Sequence, residues 1–383
     1  MATAHSFSGN WDIFCKVVDN YGDAGVCWRL ARMLVREHAL PVRLWIDQPL
    51  ALQALLPGFD AARPQQQVDG VQVCHWTQAP VAAGDIAVVV EAFGCGLPDE
   101  YVAAIAARPK PPLWIVLEYL SAETWVDEHH GLASPHPRLP VPRYFFFPGF
   151  TAASGGLLRE ADLLQRRDAF DAAQRAQFWR RLGHGQPAPG ALTVSLFCYA
   201  DAPAGELLEA MAEGDAPVVV ALPGTGVLPA VDRYFGTAGR NDRVRSRGAL
   251  EVRVVPFLPQ VEYDELLWAC DLNFVRGEDS FVRAQWAARP LVWQPYRQDD
   301  GAHRRKMQAF LERYCAGLAR GPGDDLTSFW AAWNGEGGVT EAWQGLRSRL
   351  PALAQHARGW AAQMAGFSDL ATQLVEFARI RVE

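Results

Sequence analysis

Residues 11–34 read WDIFCKVVDNYGDAGVCWRLARML, and this stretch decides the fold class. It opens with a short apolar run suited to a strand. It ends in AGVCWRLARMLVREHA, where Val26, Leu30, Met33 and Leu34 fall at i, i+4, i+7 and i+8 on one helical face. The joint between them, VDNYGDAG, carries Asp19 and Asp23, with Gly22 and Gly25 around the second acid. A tight turn uses the glycines. It has no need of both carboxylates, and read locally they fit either a functional pair or a solvated loop.

Outward from this stretch the same rhythm continues. VRLWID, VQVCHW, DIAVVVEAF and LWIVLEYL read as strands, and DEYVAAIAA as a helix with acidic residues in its first turn. The runs IAVVV and LWIVL are continuously apolar, as expected of strands covered on both faces. A polar, proline-rich stretch follows at 121–143, SAETWVDEHHGLASPHPRLPVPR, and reads mostly as loop. DAFDAAQRAQFWRRLG reads as a helix, and HGQPAPGA after it as the linker. The pattern then restarts: LTVSLFCY, APVVVAL, LEVRVVPF, CDLNFVR and RPLVWQPY read as strands, with AGELLEAMAE and YDELLWACD as helices between them. Strand–helix alternation implies parallel sheets with right-handed crossovers. Repeated about a linker, it predicts two facing, doubly wound α/β domains, residues 1–183 and 190–355. A helical C-terminal segment, 356–383, is expected to pack back on the first domain. Ligands should lie at the carboxyl ends of the strands.

Composition is that of a soluble globular chain long enough for two domains: 383 residues, half of them apolar and 21% charged. A net charge of −7 argues against a protein that coats nucleic acid. No apolar run has the length of a membrane span, and MATAHSFSGNWD lacks the features of a signal peptide. The seven cysteines stand singly, without a CxxC, and read as reduced, mostly buried thiols of a cytoplasmic protein. The fourteen tryptophans are expected to divide between the core and a contact surface.

Four constellations can carry chemistry. The first is the Asp19–Asp23 pair. The second is RGEDS, residues 276–280, where a strand ends and a helix begins. Asp279 or Ser280 is the expected N-cap, and the free amides there with Arg276 would suit an anion. A capped helix with a solvated acidic turn accounts for the same letters, and Glu278 and Asp279 would repel a phosphate unless only their amides faced it. The third is SLFCYAD, read as a strand over 191–199, which sends Phe197 and Tyr199 to one face as ligand contacts or as core aromatics. The fourth is PFLPQ, where Phe257 and Gln260 sit in a proline-held loop suited to stacking on a base and reading its edge. His129, His130 and His136 match no zinc spacing and read as solvated. GTG at 224–226 is a weak phosphate turn. There is no GxGxxG after the first strand, no P-loop, no GxSxG and no DxD. The last absence argues against a nucleotide held through a bridging metal.

KVVDNYGDAGVCWRLARML, SLFCY, PFLPQ and RGEDSFVRAQWA, in this order and over essentially the whole length, resemble the EarP family, protein-arginine rhamnosyltransferases of translation elongation factor P. The resemblance implies a GT-B fold, with the acceptor domain first and the nucleotide-sugar domain second. It implies dTDP-β-L-rhamnose as donor, an arginine of elongation factor P as acceptor, inversion at the anomeric carbon, activation of the factor, and no cofactor or metal. By the same resemblance Asp19, Asp23 and Glu278 match essential acids, with Asp23 as general base. Gly22, Phe197, Tyr199, Phe257, Gln260, Arg276, Asp279 and Ser280 match the donor-binding set. A cytoplasmic enzyme without nucleic-acid or membrane partners is expected.

The chemistry asks for such residues. Guanidinium is a poor nucleophile with a pKa above about 12. Carboxylates can hold its N–H fork and take a proton as the new bond forms. The 121–140 loop, with Trp125, Asp127 and Glu128, is one candidate docking contact for the acceptor and equally a solvated loop. Rival readings are a GT-B enzyme for another nucleotide sugar or acceptor, a non-catalytic nucleotide-sugar-binding protein, and a dinucleotide oxidoreductase. The missing glycine fingerprint disfavours the last.

Overall fold

The structure, a computed structural model, describes residues 9–19, 21–76, 84–136, 139, 141–224, 226–237 and 242–382. Asn20 of the acidic loop and Thr225 of the GTG turn lie outside the described residues. The chain divides into two compact units, Met1–Ala161 with Gly366–Glu383, and Asp162–Ala365. Each is built on a mostly parallel sheet, so the expected α/β class is borne out.

The first unit holds β1 (Asn10–Cys15), β2 (Val42–Ile46), β3 (Gln65–Val68), β4 (Val71–His75), β5 (Ile86–Ala92), β6 (Leu113–Leu117), β7 (Ala133–Pro135) and β8 (Pro142–Phe146). Their order is β3-β4-β2-β1-β5-β6-β8-β7, with only the two edge pairs antiparallel. β1 lies between β2 and β5, with Ile13 opposite Leu44 on one side and Val90 on the other. From β1 the chain winds first toward β2 and later returns to build outward from β5. A topological switch point therefore falls between β1 and β5. Phe14 packs with Trp45 and Tyr101 at 5.9 and 4.7 Å in the core of this sheet. Asp12, fully buried in β1, is held by the Arg43 guanidinium, at 2.5 and 2.6 Å, and by the Tyr101 hydroxyl, at 2.5 Å. A buried carboxylate is tolerated only with such partners.

The second unit holds β9 (Leu192–Leu196), β10 (Val218–Pro223), β11 (Val244–Arg247), β12 (Leu250–Val255), β13 (Leu272–Arg276) and β14 (Leu291–Gln294), in the order β11-β12-β10-β9-β13-β14. Here β11 alone runs antiparallel, and the switch point lies between β9 and β13. The expected strands thus form, most of them trimmed by a residue or a few, while β10 runs one residue further than expected, to Pro223.

Three expectations need correction. The division does not fall at 183–190. The helix Ala172–Arg181, opened by a capping box of Asp171 and Gln174, buries Phe178 and Trp179 in one cluster with Ala221, Val255 and Leu266, which fastens 162–183 to the second sheet. Apolar contacts override the proline-rich composition that suggested the boundary. The C-terminal segment is not one piece. A helix spans Val339–Ala365 with Pro351 inside it and belongs to the second unit, whereas the helix Leu370–Val382 packs in the first. Finally, the stretch 121–143 is more ordered than loop, with a helix at Trp125–His129 and β7 paired to β8.

Seven tryptophans (11, 28, 179, 286, 330, 333 and 343) are fully buried, and Trp125 is exposed. Among the described residues no helix is long and apolar enough to cross a membrane.

Candidate active site

The first two constellations, the Asp19–Asp23 pair and RGEDS, stand where their sheets switch direction. In the first unit β1 ends at Cys15 and the helix Gly22–His38 begins seven residues later. Asp23 lies in the first turn of that helix, where the dipole favours an anion. Its Oδ2 accepts the Val18 and Asp19 amides at 2.7 and 2.8 Å. Its Oδ1 accepts the Tyr119 hydroxyl at 3.3 Å. Asp23 is 2% exposed, and burial outweighs these donors to hold its carboxyl above its ordinary value; Asp47 adds to the rise.

Asp19 is nearly buried beside it. A methyl group on Gly22 would stand 2.8 Å from Asp19 Oδ2, so only glycine lets this carboxylate lie over the start of the helix. Asp47, just beyond β2, accepts the Val17 amide at 2.8 Å, while the Gln48 side chain donates to the Val17 carbonyl at 3.0 Å. The consecutive amides of 17, 18 and 19 are thus held by two carboxylates. Beyond β5, Phe93 has φ +58° and stacks on Tyr119 at 4.3 Å and 14°. A left-handed phenylalanine is a strained conformation, of the kind that collects at functional sites. Beneath the loop, Arg29 is fully buried against Glu160 at 2.9 Å.

In the second unit β9 ends at Leu196, earlier than expected, and Phe197 and Tyr199 lie in the loop beyond it. The Arg276 guanidinium sits over both rings, 4.7 Å from Phe197 and 4.5 Å from Tyr199. The Tyr199 amide donates to Gln294 Oε1 at 2.8 Å, and Gln294 Nε2 donates to Asp201 at 3.2 Å.

After β13 the chain turns at Gly277, φ +58°, and the Trp293 indole donates to its carbonyl at 2.6 Å. Ser280 and Asp279 are not the N-cap. The helix spans Asp279–Trp286, Glu278 occupies the cap position, and no side chain closes it. The Ser280 hydroxyl instead turns back to Arg276, accepting its amide at 3.1 Å and donating to its carbonyl. The Asp279 carboxylate accepts Gln260 Nε2 at 3.2 Å, which ties this turn to the start of the helix Gln260–Ala269. Gln260 is buried, and Phe257 is half-buried in the loop before it. The Glu278 side chain makes no cap hydrogen bond to the 279–286 helix, whose N-terminal end carries the positive end of the helix dipole.

The structure gathers Asp19, Gly22 and Asp23 at one switch point, and Phe197, Tyr199, Arg276, Glu278, Asp279 and Ser280 at the other, with Gln260 tied to the latter through Asp279. Asp47, Phe93, Tyr119 and Gln294 carried no sequence signal. Each is a polar or aromatic residue just past, or at the last position of, an apolar strand, which is the one cue that would have found them. The three histidines do not converge. His129 meets the Trp125 carbonyl at 2.8 Å, His130 accepts the Phe147 amide at 3.1 Å, and His136 packs on Trp114. His130 and His136 are half-buried, not solvated as expected. Among the described residues no group of three His, Cys, Asp or Glu could hold a metal ion.

Residues 11–379 match the family model of EarP, the elongation factor P (EF-P) rhamnosyltransferase. A protein-arginine rhamnosyltransferase of Pseudomonas putida is 50% identical over 96% of this chain and 98% of its own length. One of Pseudomonas aeruginosa is 48% identical over the same shares. A solved structure, described as the structural basis for EarP-mediated arginine glycosylation of translation elongation factor EF-P, is 38% identical with a TM-score of 0.69. It covers 98% of this chain and all of that one.

Proposed function

The chain belongs to the EarP family of protein-arginine rhamnosyltransferases, and from that premise we propose that it transfers L-rhamnose from dTDP-β-L-rhamnose to an arginine of elongation factor P, with inversion and without a metal. The observation that carries the mechanism is the held, buried carboxylate of Asp23 at the β1/β5 switch point.

In this reading the first unit handles the acceptor. Asp19 accepts hydrogen bonds from the guanidinium and orients it. One guanidinium nitrogen attacks the anomeric carbon, the C–N bond forms as the bond to the diphosphate oxygen breaks, and that electron pair leaves with dTDP. The attacking nitrogen gives its proton to Asp23, so the product remains a guanidinium cation. A carboxylate held above its ordinary range is a better base than a solvated one. Inversion needs no enzyme nucleophile, as in inverting glycosidases.

The second unit handles the donor. The helix N-terminus at 279–281 and Arg276 offset the charge that grows on the departing diphosphate. Phe257 stacks on thymine. Gln260, whose Nε2 is engaged by Asp279, keeps the base-binding loop and the diphosphate turn in register. Glu278 belongs to the active-site network at the cap of the diphosphate helix. Phe197 and Tyr199 hold the Arg276 guanidinium in place, so Arg276→Ala should weaken dTDP binding by about tenfold or more; an unchanged affinity by calorimetry removes it from the diphosphate site. A cytoplasmic location follows from the acceptor, a translation factor.

The direct test incubates the protein with dTDP-rhamnose and elongation factor P. A deoxyhexose on one arginine, found by mass spectrometry and shown to be the α-anomer by NMR, is the expected result. No adduct, an adduct on another residue type, or retained β configuration would each refute the corresponding part.

A further inference from the structure

Asp23 divides its two oxygens sharply. Oδ2 accepts two backbone amides at 2.7 and 2.8 Å, which saturates it. Oδ1 has the Tyr119 hydroxyl at 3.3 Å, a longer bond to an oxygen that keeps basicity. Tyr119 stands two residues past the end of β6, and its ring is stacked on Phe93. Phe93 stands directly after β5 with φ +58°, and its amide donates to the Leu117 carbonyl at the end of β6 at 2.6 Å. A bulky residue pays for a left-handed backbone, and here that backbone is pinned to the strand that delivers Tyr119.

We propose that Tyr119 is a positioning residue for the proton transfer, held by the Phe93 ring so that its hydroxyl fixes Asp23 Oδ1 as the oxygen that receives the arginine proton. This rests on the assignment of Asp23 as the base. The hydroxyl does not itself exchange a proton with substrate. It restricts rotation of the carboxylate, and its hydrogen bond favours the ionised form that can accept a proton. The other groups facing Asp23 are the Val18 and Asp19 amides from its own loop, the Asp47 carboxylate from the end of β2, and the Cys15 thiol from the end of β1. Burial and Asp47 raise the carboxyl; the amides and Tyr119 oppose them.

The test is Tyr119→Phe, which keeps the stacked ring and removes one oxygen. Rhamnosylation of elongation factor P is followed against pH. The expected result is a fall in kcat of about tenfold, an unchanged KM for dTDP-rhamnose, and an acid limb of the kcat profile moved to higher pH. The last shift follows because losing a donor to the carboxylate raises its pKa. Phe93→Gly, which suits the positive φ and deletes the stacking ring, should reproduce the kcat loss in part with an unaltered melting temperature. A Tyr119→Phe enzyme with wild-type kcat and an unmoved acid limb overturns the proposal. So does an equal fall in kcat with no pH shift, since a packing role alone would produce that. Asp23→Asn run alongside separates the two levels. If it retains activity, the base assignment itself fails; if it is inactive while Tyr119→Phe is normal, only the role of Tyr119 fails.

Discussion

At the scale of single residues, Asp23 pits burial against hydrogen bonds, and the balance has a measurable sign. Its carboxyl is raised in the native protein, chiefly by burial, so the native state binds that proton more tightly than the unfolded chain does. Above the raised value the ionised group costs stability. As pH falls through that value toward the unfolded one, about 3.9, protonation removes the cost. Asparagine does not titrate, and its oxygen can accept the same two amides. Asp23→Asn should therefore be inactive, with rhamnosylation down at least about a hundredfold, yet at pH 8 as stable as the parent or more so. That advantage should shrink between pH 8 and pH 4 in thermal melts, and a variant less stable at pH 8 contradicts it. Gly22 makes a complementary case. Alanine at a helix start is no worse than glycine for the backbone, but its Cβ would meet Asp19 Oδ2 at 2.8 Å. Gly22→Ala should keep its melting temperature within a few degrees while activity falls at least about tenfold. Wild-type turnover would show that the Asp19 carboxylate need not lie there.

At the scale of elements, the second unit holds two short helices whose starts are tied together by the Gln260–Asp279 hydrogen bond. The helices Gln260–Ala269 and Asp279–Trp286 are locked by a buried fork, Arg283 Nε and a terminal nitrogen to Asp264, both at 2.7 Å, with both residues 2% exposed or less. Desolvation makes such a pair costly to break and cheap to replace whole. Arg283→Met should lower the urea stability of the second unit by about 3–5 kcal/mol. Arg283→Met with Asp264→Leu should recover most of that loss. A single variant with the parent urea midpoint would show that the fork does not hold the helices. The elements also show what was legible. Apolar runs such as IAVVV and the 26/30/33/34 stripe announced β5 and the helix Gly22–His38 directly. The sequence shows no sign of the edge strands β3, β7 and β11, because QQQV, ASP and VRSR are too polar and too short to show periodicity and exist only through antiparallel pairing with a neighbour.

At the scale of the whole molecule, the chain completes its first unit with its last residues. The helix Leu370–Val382 buries Leu370, Leu374 and Val375, and the Leu370 amide donates to the Leu157 carbonyl at 3.0 Å. A chain ending at residue 365 should lose hydrogen-exchange protection in the helix Gly22–His38, against which that helix packs. The strands β9 to β14 should keep theirs. Equal protection of Gly22–His38 in both chains would show the last helix to be dispensable to the first unit. The amino-acid sequence by itself determined the alternation of strands and helices, hence two parallel α/β units, because periodicity is written locally along the chain. It also marked the two joints VDNYGDAG and RGEDS, where a strand gives way to a helix, since a parallel sheet puts such joints on one edge. Only the tertiary structure decided where one unit stops and the other starts, because that depends on which apolar faces find each other across 162–183 and 366–382. It alone brought Tyr119, Phe93 and Asp47 around the two aspartates of VDNYGDAG. These residues come from three other strands, and no spacing in the sequence records that strands distant along the chain lie side by side in the sheet.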